Sequence, residues 1–257
     1  MRLKKLALVA VSAVMLLAVA ACGKKKDTFK VGFDQNFPPY GFVGEDGEYT
    51  GFDIEMAKAC ADKMGKEIEL IPIDWDAKDM ELEAGNIDCI WNGFTINGRE
   101  DGYTWSEPYM NNAQVVIVKA DSGIDSISQL ADKTVEVQTD SSAQAALEDE
   151  ANAELAASFK ELVKVGEYNT ALMDLESGAV DAVILDEGVG AYQIKGKEDT
   201  FKMLDGSIAD EQYAIGFNKG NEEMRDTVQA ALKELVKDGT FAKISNEWFG
   251  KDVCILK

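Results

Sequence analysis

The chain has 257 residues, with 47 acidic and 26 basic side chains, a formal net charge of −21 and no histidine. That acid excess excludes nucleic acid and other polyanions as partners, because no basic stripe exists to release counterions from phosphates. The missing imidazole excludes Ser-His-Asp and Cys-His nucleophile systems and His-based zinc sites, leaving carboxylates, Lys, Tyr and thiols for any chemistry.

Arg2, Lys4 and Lys5 precede an uncharged apolar run from Leu6 to Ala21. The pattern predicts a secretory signal over residues 1–21, and the run is short for a membrane span. It ends in Leu17-Ala18-Val19-Ala20-Ala21-Cys22-Gly23, which resembles a bacterial lipobox, with Val19 where Leu is preferred. The resemblance implies lipidation of Cys22 and anchoring to a membrane, with more than one acyl chain needed for a stable hold. Residues 22–27 then form a tether whose Lys24, Lys25 and Lys26 sit beside anionic headgroups.

Thr28 to Phe33 is predicted as a strand that opens into Asp34-Gln35-Asn36-Phe37-Pro38-Pro39-Tyr40, where two prolines stop ladder pairing. A helix from about Asp53 to Met64 closes at Gly65, Glu67 to Pro72 is a strand, and Asp76 to Ala84 is a helix. Pro108 to Asn112 reads as irregular, and Gln114 to Val118 as a strand that carries the chain into a second lobe. There the pattern predicts a helical turn at Ile127 to Ala131, a strand at Thr134 to Val137 and one helix from Ser142 to about Ala157. A strand at Phe159 to Val165, a helix at Tyr168 to Ser177 and a strand at Val180 to Leu185 follow. Gly188 to Gln193 is a short helix, and Phe201 to Leu204 a strand. Gln212 to Phe217 is a strand returning to the first lobe, Asn221 caps a helix reaching Asp238, and Thr240 to Trp248 forms the last helix. Cys60 and Cys89 could pair or remain buried thiols, so no disulfide is assigned.

One stretch occurs nearly twice: Leu82-Glu83-Ala84-Gly85-Asn86-Ile87-Asp88-Cys89-Ile90 returns as Leu175-Glu176-Ser177-Gly178-Ala179-Val180-Asp181-Ala182-Val183. Each copy is the helix-to-strand half of a βαβ unit, so the chain is expected to form two similar lobes. The fold class is then α/β, two lobes with mostly parallel sheets flanked by helices and joined by a two-strand hinge. Lobe 1 would be discontinuous, from residues 28–113 and 213–257, and lobe 2 would span 114–212. The first copy leads to Arg99 and the second ends at Asp186. Ligands in open α/β sheets collect beyond the carboxyl ends of the strands, so the lobes would offer a cation and an anion, which suits a zwitterion.

Six stretches in this order, Val31–Phe42, Gly51–Ala59, Trp91–Tyr109, Val137–Ala143, Asp181–Asp186 and Asp238–Gly250, resemble the amino-acid-binding members of the type II periplasmic binding proteins. These are the solute receptors of polar amino acid ABC importers. The resemblance implies that Arg99 grips a ligand α-carboxylate through two parallel charge-assisted hydrogen bonds. It implies that Thr95 supplies a hydroxyl, Gly93 a backbone carbonyl for the ammonium, and Asp186 the paired carboxylate. Ser141 and Ser142 would complete the carboxylate cradle at a helix N-terminus, with Asp140 in place of the usual Gly and turned outward as the cap. Phe37 and Trp75 would sandwich the ligand side chain, while Asp34, with Gln138, would meet its tip. The Thr95–Arg99 spacing is one residue shorter than usual, so that loop is tighter.

The implied partners are a free polar or basic L-amino acid, a permease and ATPase, and the membrane through Cys22; no nucleic acid, metal or cofactor is implied, and the receptor is expected to be a monomer. The alternatives are a cyclohexadienyl-dehydratase-like lyase on the same scaffold and a ligand-sensing lipoprotein, the latter disfavoured by the lack of a second apolar span or signalling segment.

Overall fold

The computed structural model describes residues 27–257. The expected signal, Cys22 and all but the last residue of the tether lie outside the described residues. The chain runs β1 (Thr28–Phe33), β2 (Asn36–Phe37), β3 (Gly41–Val43), β4 (Tyr49–Thr50), α1 (Phe52–Met64), β5 (Glu67–Pro72), α2 (Lys78–Glu83), β6 (Cys89–Ile90), β7 (Thr104–Trp105) and β8 (Met110–Lys119). It continues as β9 (Thr134–Gln138), α3 (Ser142–Glu148), α4 (Ala153–Ser158), β10 (Glu161–Val165), α5 (Tyr168–Ser177), β11 (Ala182–Asp186), α6 (Glu187–Ile194) and β12 (Phe201–Met203). The last elements are β13 (Ala209–Tyr213), β14 (Gly216–Phe217), α7 (Glu222–Lys237) and α8 (Thr240–Phe249).

Two main sheets share one plan, β5-β1-β6-β14-β7 and β10-β9-β11-β8-β12, while β2, β3 and β4 form a small antiparallel sheet. The duplicated stretch falls at corresponding places. In both copies the helix is followed by a glycine with positive φ, Gly85 at 72° and Gly178 at 81°, where a Cβ would be strained. The aspartate of each copy then clamps the neighbouring parallel strand. Asp88 Oδ2 accepts from Lys30 N and Asp181 Oδ2 from Thr134 N, both at 2.8 Å, while the backbone N–H of each aspartate donates back to the same residue's carbonyl. Sequence identity in the repeat is thus a shared way of satisfying backbone groups at a strand entrance.

Strict alternation of strands and helices predicted mostly parallel sheets, and the sheets are mixed. β5, β1 and β6 are parallel, as are β10, β9 and β11, each set built from βαβ units. β14 and β8, by contrast, run antiparallel to their neighbours. The parallel strands end at the cleft between the lobes. A strand arriving from the other lobe starts at the cleft and must run away from it.

β8 begins at Met110, whereas the sequence predicted irregular chain as far as Asn112. Its first half pairs with β13, from Met110↔Tyr213 to Gln114↔Ala209, and its second half with β11. The polar residues Asn111 and Asn112 obscured this strand, yet their backbone groups are spent on the inter-lobe ladder. The return strand likewise starts earlier than expected, at Ala209, and is interrupted before β14. The single helix expected from Ser142 to Ala157 is two. Asp149 is extended, its carboxylate accepts from Ala151 N at 2.8 Å, and Asn152 Nδ2 donates to Ala146 O and Ile208 O. Local side-chain bonds of this kind compete with the helical ladder.

The core follows strand parity. Ala182 and Ile184 of β11 join Val116, Val118, Val135 and Val137 on one face, while Val183 and Leu185 meet Ile117, Ala171, Leu172 and Leu175 on the other. An unbroken apolar strand is therefore one with both faces covered. In lobe 1, Phe29, Val31 and Trp91 pack with Phe52, Met56, Leu232 and Phe241, so α1, α7 and α8 cover that face. Cys60, Cys89 and Cys254 are free thiols.

Candidate functional site

The residues singled out in the sequence gather between the sheets, around the β8/β13 ladder. Arg99 lies in a tight turn, its N–H bonded to Ile96 O at 2.9 Å and its carbonyl accepting from Trp105 Nε1 at 3.1 Å. Its guanidinium rests 5.4 Å from the Phe94 ring centre and donates to Thr95 O at 3.3 Å and, across the cleft, to Asp140 O at 3.2 Å.

Gly93 has φ 57°, and a Cβ there would press on Phe37 and Tyr213 at 3.0 and 3.1 Å. Its N–H is held by Asp53 Oδ2 at 2.6 Å, and Tyr109 Oη donates to the other oxygen of that carboxylate at 2.8 Å. Asp53 is fully buried, and burial pushes its carboxyl up to about 7 despite both bonds.

Asp186 ends β11. It precedes α6 as its backbone cap, but its side chain makes no capping bond. Instead Oδ1 accepts from Tyr213 Oη at 2.6 Å and from Asn112 Nδ2 at 2.7 Å. Burial first, and the neighbouring Glu211 carboxylate second, push Asp186 up to about 8. Thr95 Oγ1 donates to Glu211 Oε1 at 2.8 Å, and Asn112 Nδ2 donates to the same oxygen at 2.6 Å. Thr95, Glu211, Asn112 and Asp186 therefore form one polar chain between the two strand ends. Arg99 joins it at the Thr95 carbonyl.

On the lobe 2 side, Ser141 is the N-cap of α3, its Oγ accepting from Gln144 N at 3.1 Å. The sequence had given that role to Asp140. Asp140 stands before the cap with φ 57°, and its carboxylate pairs with the ammonium of Lys78, which is buried in lobe 1. The reason is electrostatic: a buried ammonium needs an anion, and Asp140 lies directly over it. Ser142 Oγ accepts from Gln114 Nε2 at 2.9 Å and donates to Glu211 Oε1 at 3.4 Å.

Asp34 and Gln138 meet across the lobes, Gln138 Nε2 donating to Asp34 Oδ2 at 2.8 Å and to Gly166 O at 2.9 Å. Burial raises the Asp34 carboxyl above its ordinary value, while bonds from Asn36 N and Gln138 oppose the rise. Beside this pair lies a cavity of about 460 Å³ whose lining includes Asp34, Asp74, Trp75, Asp76, Glu81 and Glu167, with no basic side chain. Phe37 is deeper, with ring centres 5.7 Å from Tyr40 and 6.0 Å from Tyr168. Trp75 stands edge-on to Phe94 at 5.5 Å. The two expected sandwich rings therefore pair with different partners, one inside the cleft and one on the cavity wall.

Sequence reasoning missed Asp53, Asn112, Glu211 and Tyr213 as parts of this network. Parity was the available signal for one of them, Asn112. Met110, Asn112, Gln114 and Val116 share a strand face, so polar residues at the second and third of these positions point into the molecule once β8 begins at Met110.

The model of the family "Bacterial extracellular solute-binding proteins, family 3" matches residues 29–251. The chain is 30% identical over 236 residues to the L-cystine-binding protein TcyJ of Escherichia coli, covering 90% of this chain and 85% of that one. It is 29% identical to the arginine-binding extracellular protein ArtP of Bacillus subtilis, covering 96% and 98%. The crystal structure of an ABC uptake transporter substrate binding protein from Streptococcus pneumoniae with bound histidine superposes with TM-score 0.84 at 34% identity, covering 89% of this chain and 95% of that one. Two sheets of one plan and a match over nearly all described residues lead to one conclusion: the chain belongs to family 3 of the bacterial extracellular solute-binding proteins and has the type II periplasmic binding protein fold.

Proposed function

We propose that the protein is an extracytoplasmic receptor that binds a polar or basic L-amino acid between its lobes and delivers it to an ABC permease and ATPase. The observation that carries this reading is the polar chain Thr95–Glu211–Asn112–Asp186, which links the loop of Arg99 to the end of β11 across the cleft. Arg99, with Ser141 and Ser142, takes the α-carboxylate, and Asp186, with Thr95 and the Gly93 carbonyl, takes the α-ammonium. The side chain extends toward Asp34, Gln138, Phe37 and Trp75. Carboxylates on the cavity wall support a cationic tip, and the relatives named above for cystine, arginine and histidine support the amino-acid class.

The lobes divide at β8 and β13, 28–113 with 213–257 against 114–212, and close by bending of that ladder. Cys22 anchors the receptor through lipid, residues 1–21 are removed, and the protein acts as a monomer. It binds without turnover. Charged hydrogen bonds of about 1.5–3 kcal/mol each, offset by the cost of association, suit micromolar affinity near about −8 kcal/mol.

Calorimetric titration with the common amino acids and cystine tests the reading. One or a few should bind with a single site, and Arg99→Ala should weaken that ligand by at least about 100-fold. Absence of heat with every amino acid overturns the proposal, and turnover of prephenate or arogenate would point to the lyase instead.

A further inference from the structure

Two carboxylates meet in the cleft network with no cation between them. Asn112 Nδ2 has two hydrogens, and it donates to Asp186 Oδ1 at 2.7 Å and to Glu211 Oε1 at 2.6 Å. The other donors are neutral as well: Tyr213 Oη to Asp186 at 2.6 Å, and Thr95 Oγ1, Gln114 Nε2 and Ser142 Oγ to Glu211 at 2.8, 2.8 and 3.4 Å. Asp186 and Glu211 are 3% and 6% exposed. Among the described residues neither acid is in an ion pair: Arg99 donates to two backbone carbonyls, and Lys78 pairs with Asp140. Of the remaining titratable groups around them, Lys251 lines a surface cavity with Asn112, Glu187, Asp210 and Glu211 and is in no ion pair with either acid. Tyr213 and Tyr168 face both acids, Tyr40 faces Asp186, and Glu187 follows Asp186 at the start of α6; all three phenols are held well above their ordinary range by burial first and these carboxylates second.

Two bare charges in so dry a place are costly, and neutral donors alone do not offset that cost. We propose that Asp186, bridged to Glu211 by Asn112, holds a proton until a primary ammonium enters beside the two acids, and that the neighbouring Glu211 thereby contributes to the pH response of ligand binding. The inference rests on the receptor reading above. On binding, the carboxyl O–H bond breaks and the proton passes to solvent. Both carboxylates are then ionised, and the ligand ammonium, keeping its three protons, supplies the cation the network lacks. The raised carboxyl of Asp186 agrees with this count.

The test is calorimetry of the full protein with L-arginine, L-cystine and L-glutamine as probes, at pH 7 in two buffers of different ionisation enthalpy, and at steps from pH 6 to 8. The expected result is release of about one proton per bound ligand and a Kd that rises about tenfold for each pH unit below 8. Glu211→Gln should move the onset of proton release and of the Kd slope to lower pH, because the burial of Asp186 remains while its anionic neighbour is gone. Binding by the wild-type protein without proton release or pH slope overturns the inference while leaving the receptor reading intact, and that measurement decides even if the variant does not fold. An onset at the same pH in a folded Glu211→Gln protein overturns the role given to Glu211. If no probe binds, the receptor reading falls, and the inference with it.

Discussion

Arg99 and Lys78 are the two cations of the cleft, and their surroundings give them different tasks. Lys78 is 1% exposed and tied to Asp140, so it joins the lobes. Arg99 presents a planar fork near the Thr95 carbonyl, suited to a carboxylate in a way that an ammonium is not. Arg99→Lys should therefore keep the charge yet lose about 10-fold or more in affinity, as isothermal titration will show. Glu136 is a residue of another kind. It is fully buried on β9 beneath α5, and neither carboxylate oxygen has a partner. Burial first and Asp174 second push it up to about 7, whereas an unfolded Glu titrates near about 4.3. The folded state therefore holds a proton that the unfolded state has released. Stability is highest below the lower value, falls as pH rises between the two, and levels off above about 7. Glu136→Met should add on the order of 1–3 kcal/mol at pH 8 and much less at pH 4.5, measured by urea unfolding at both.

Among elements, the loop after β6 depends on the first turn of α1. Asp53 bonds Gly93 N and Tyr109 Oη together, fixing the glycine carbonyl proposed to face the ammonium. Asp53→Ala leaves both donors buried and unsatisfied, at a cost of about 1–3 kcal/mol each. The expected outcome is a lowered melting temperature together with weaker ligand binding, read by thermal unfolding and calorimetry. The glycine end of α1 and the cap of α7 were legible beforehand because they are local, whereas the cap of α3 is Ser141 and not Asp140. Gly65 ends α1 in the left-handed conformation, and Asn221 Oδ1 accepts from Met224 N at the start of α7, both as the sequence indicated. The break between α3 and α4 was not, because helix propensity of the Ala-rich stretch competed with side-chain bonds from Asp149 and Asn152, one of which reaches Ile208 in a distant segment. The start of β8 was missed for a related reason: Asn111 and Asn112 look like loop until a partner strand takes their backbone groups.

Across the whole molecule, the β8/β13 ladder is where the two sheets join, and the cleft network lies on it. A ligand that bonds to both lobes stabilises the folded state by about 2.7 kcal/mol at one hundred times Kd. For a chain of this size that raises the melting temperature by several degrees, at about 2–4 °C per kcal/mol. A thermal-shift panel should show this for the bound amino acid, and Arg99→Ala should abolish it at the same concentration without lowering the unliganded melting temperature by more than about 3 °C.

By itself the sequence determined most of the helices and strands, the glycines that end several helices, the duplicated plan and the kinds of residue offered at the strand ends. Periodicity, glycine conformation and capping are written within a few neighbours along the chain. Only the tertiary structure decided that Glu211 stands beside Asp186, that Asp140 answers Lys78 and that Asp53 supports Gly93. These partners are far apart in sequence, and they meet because strands crossing from one lobe enter the other's sheet at the cleft, where burial sets the charge each group can carry.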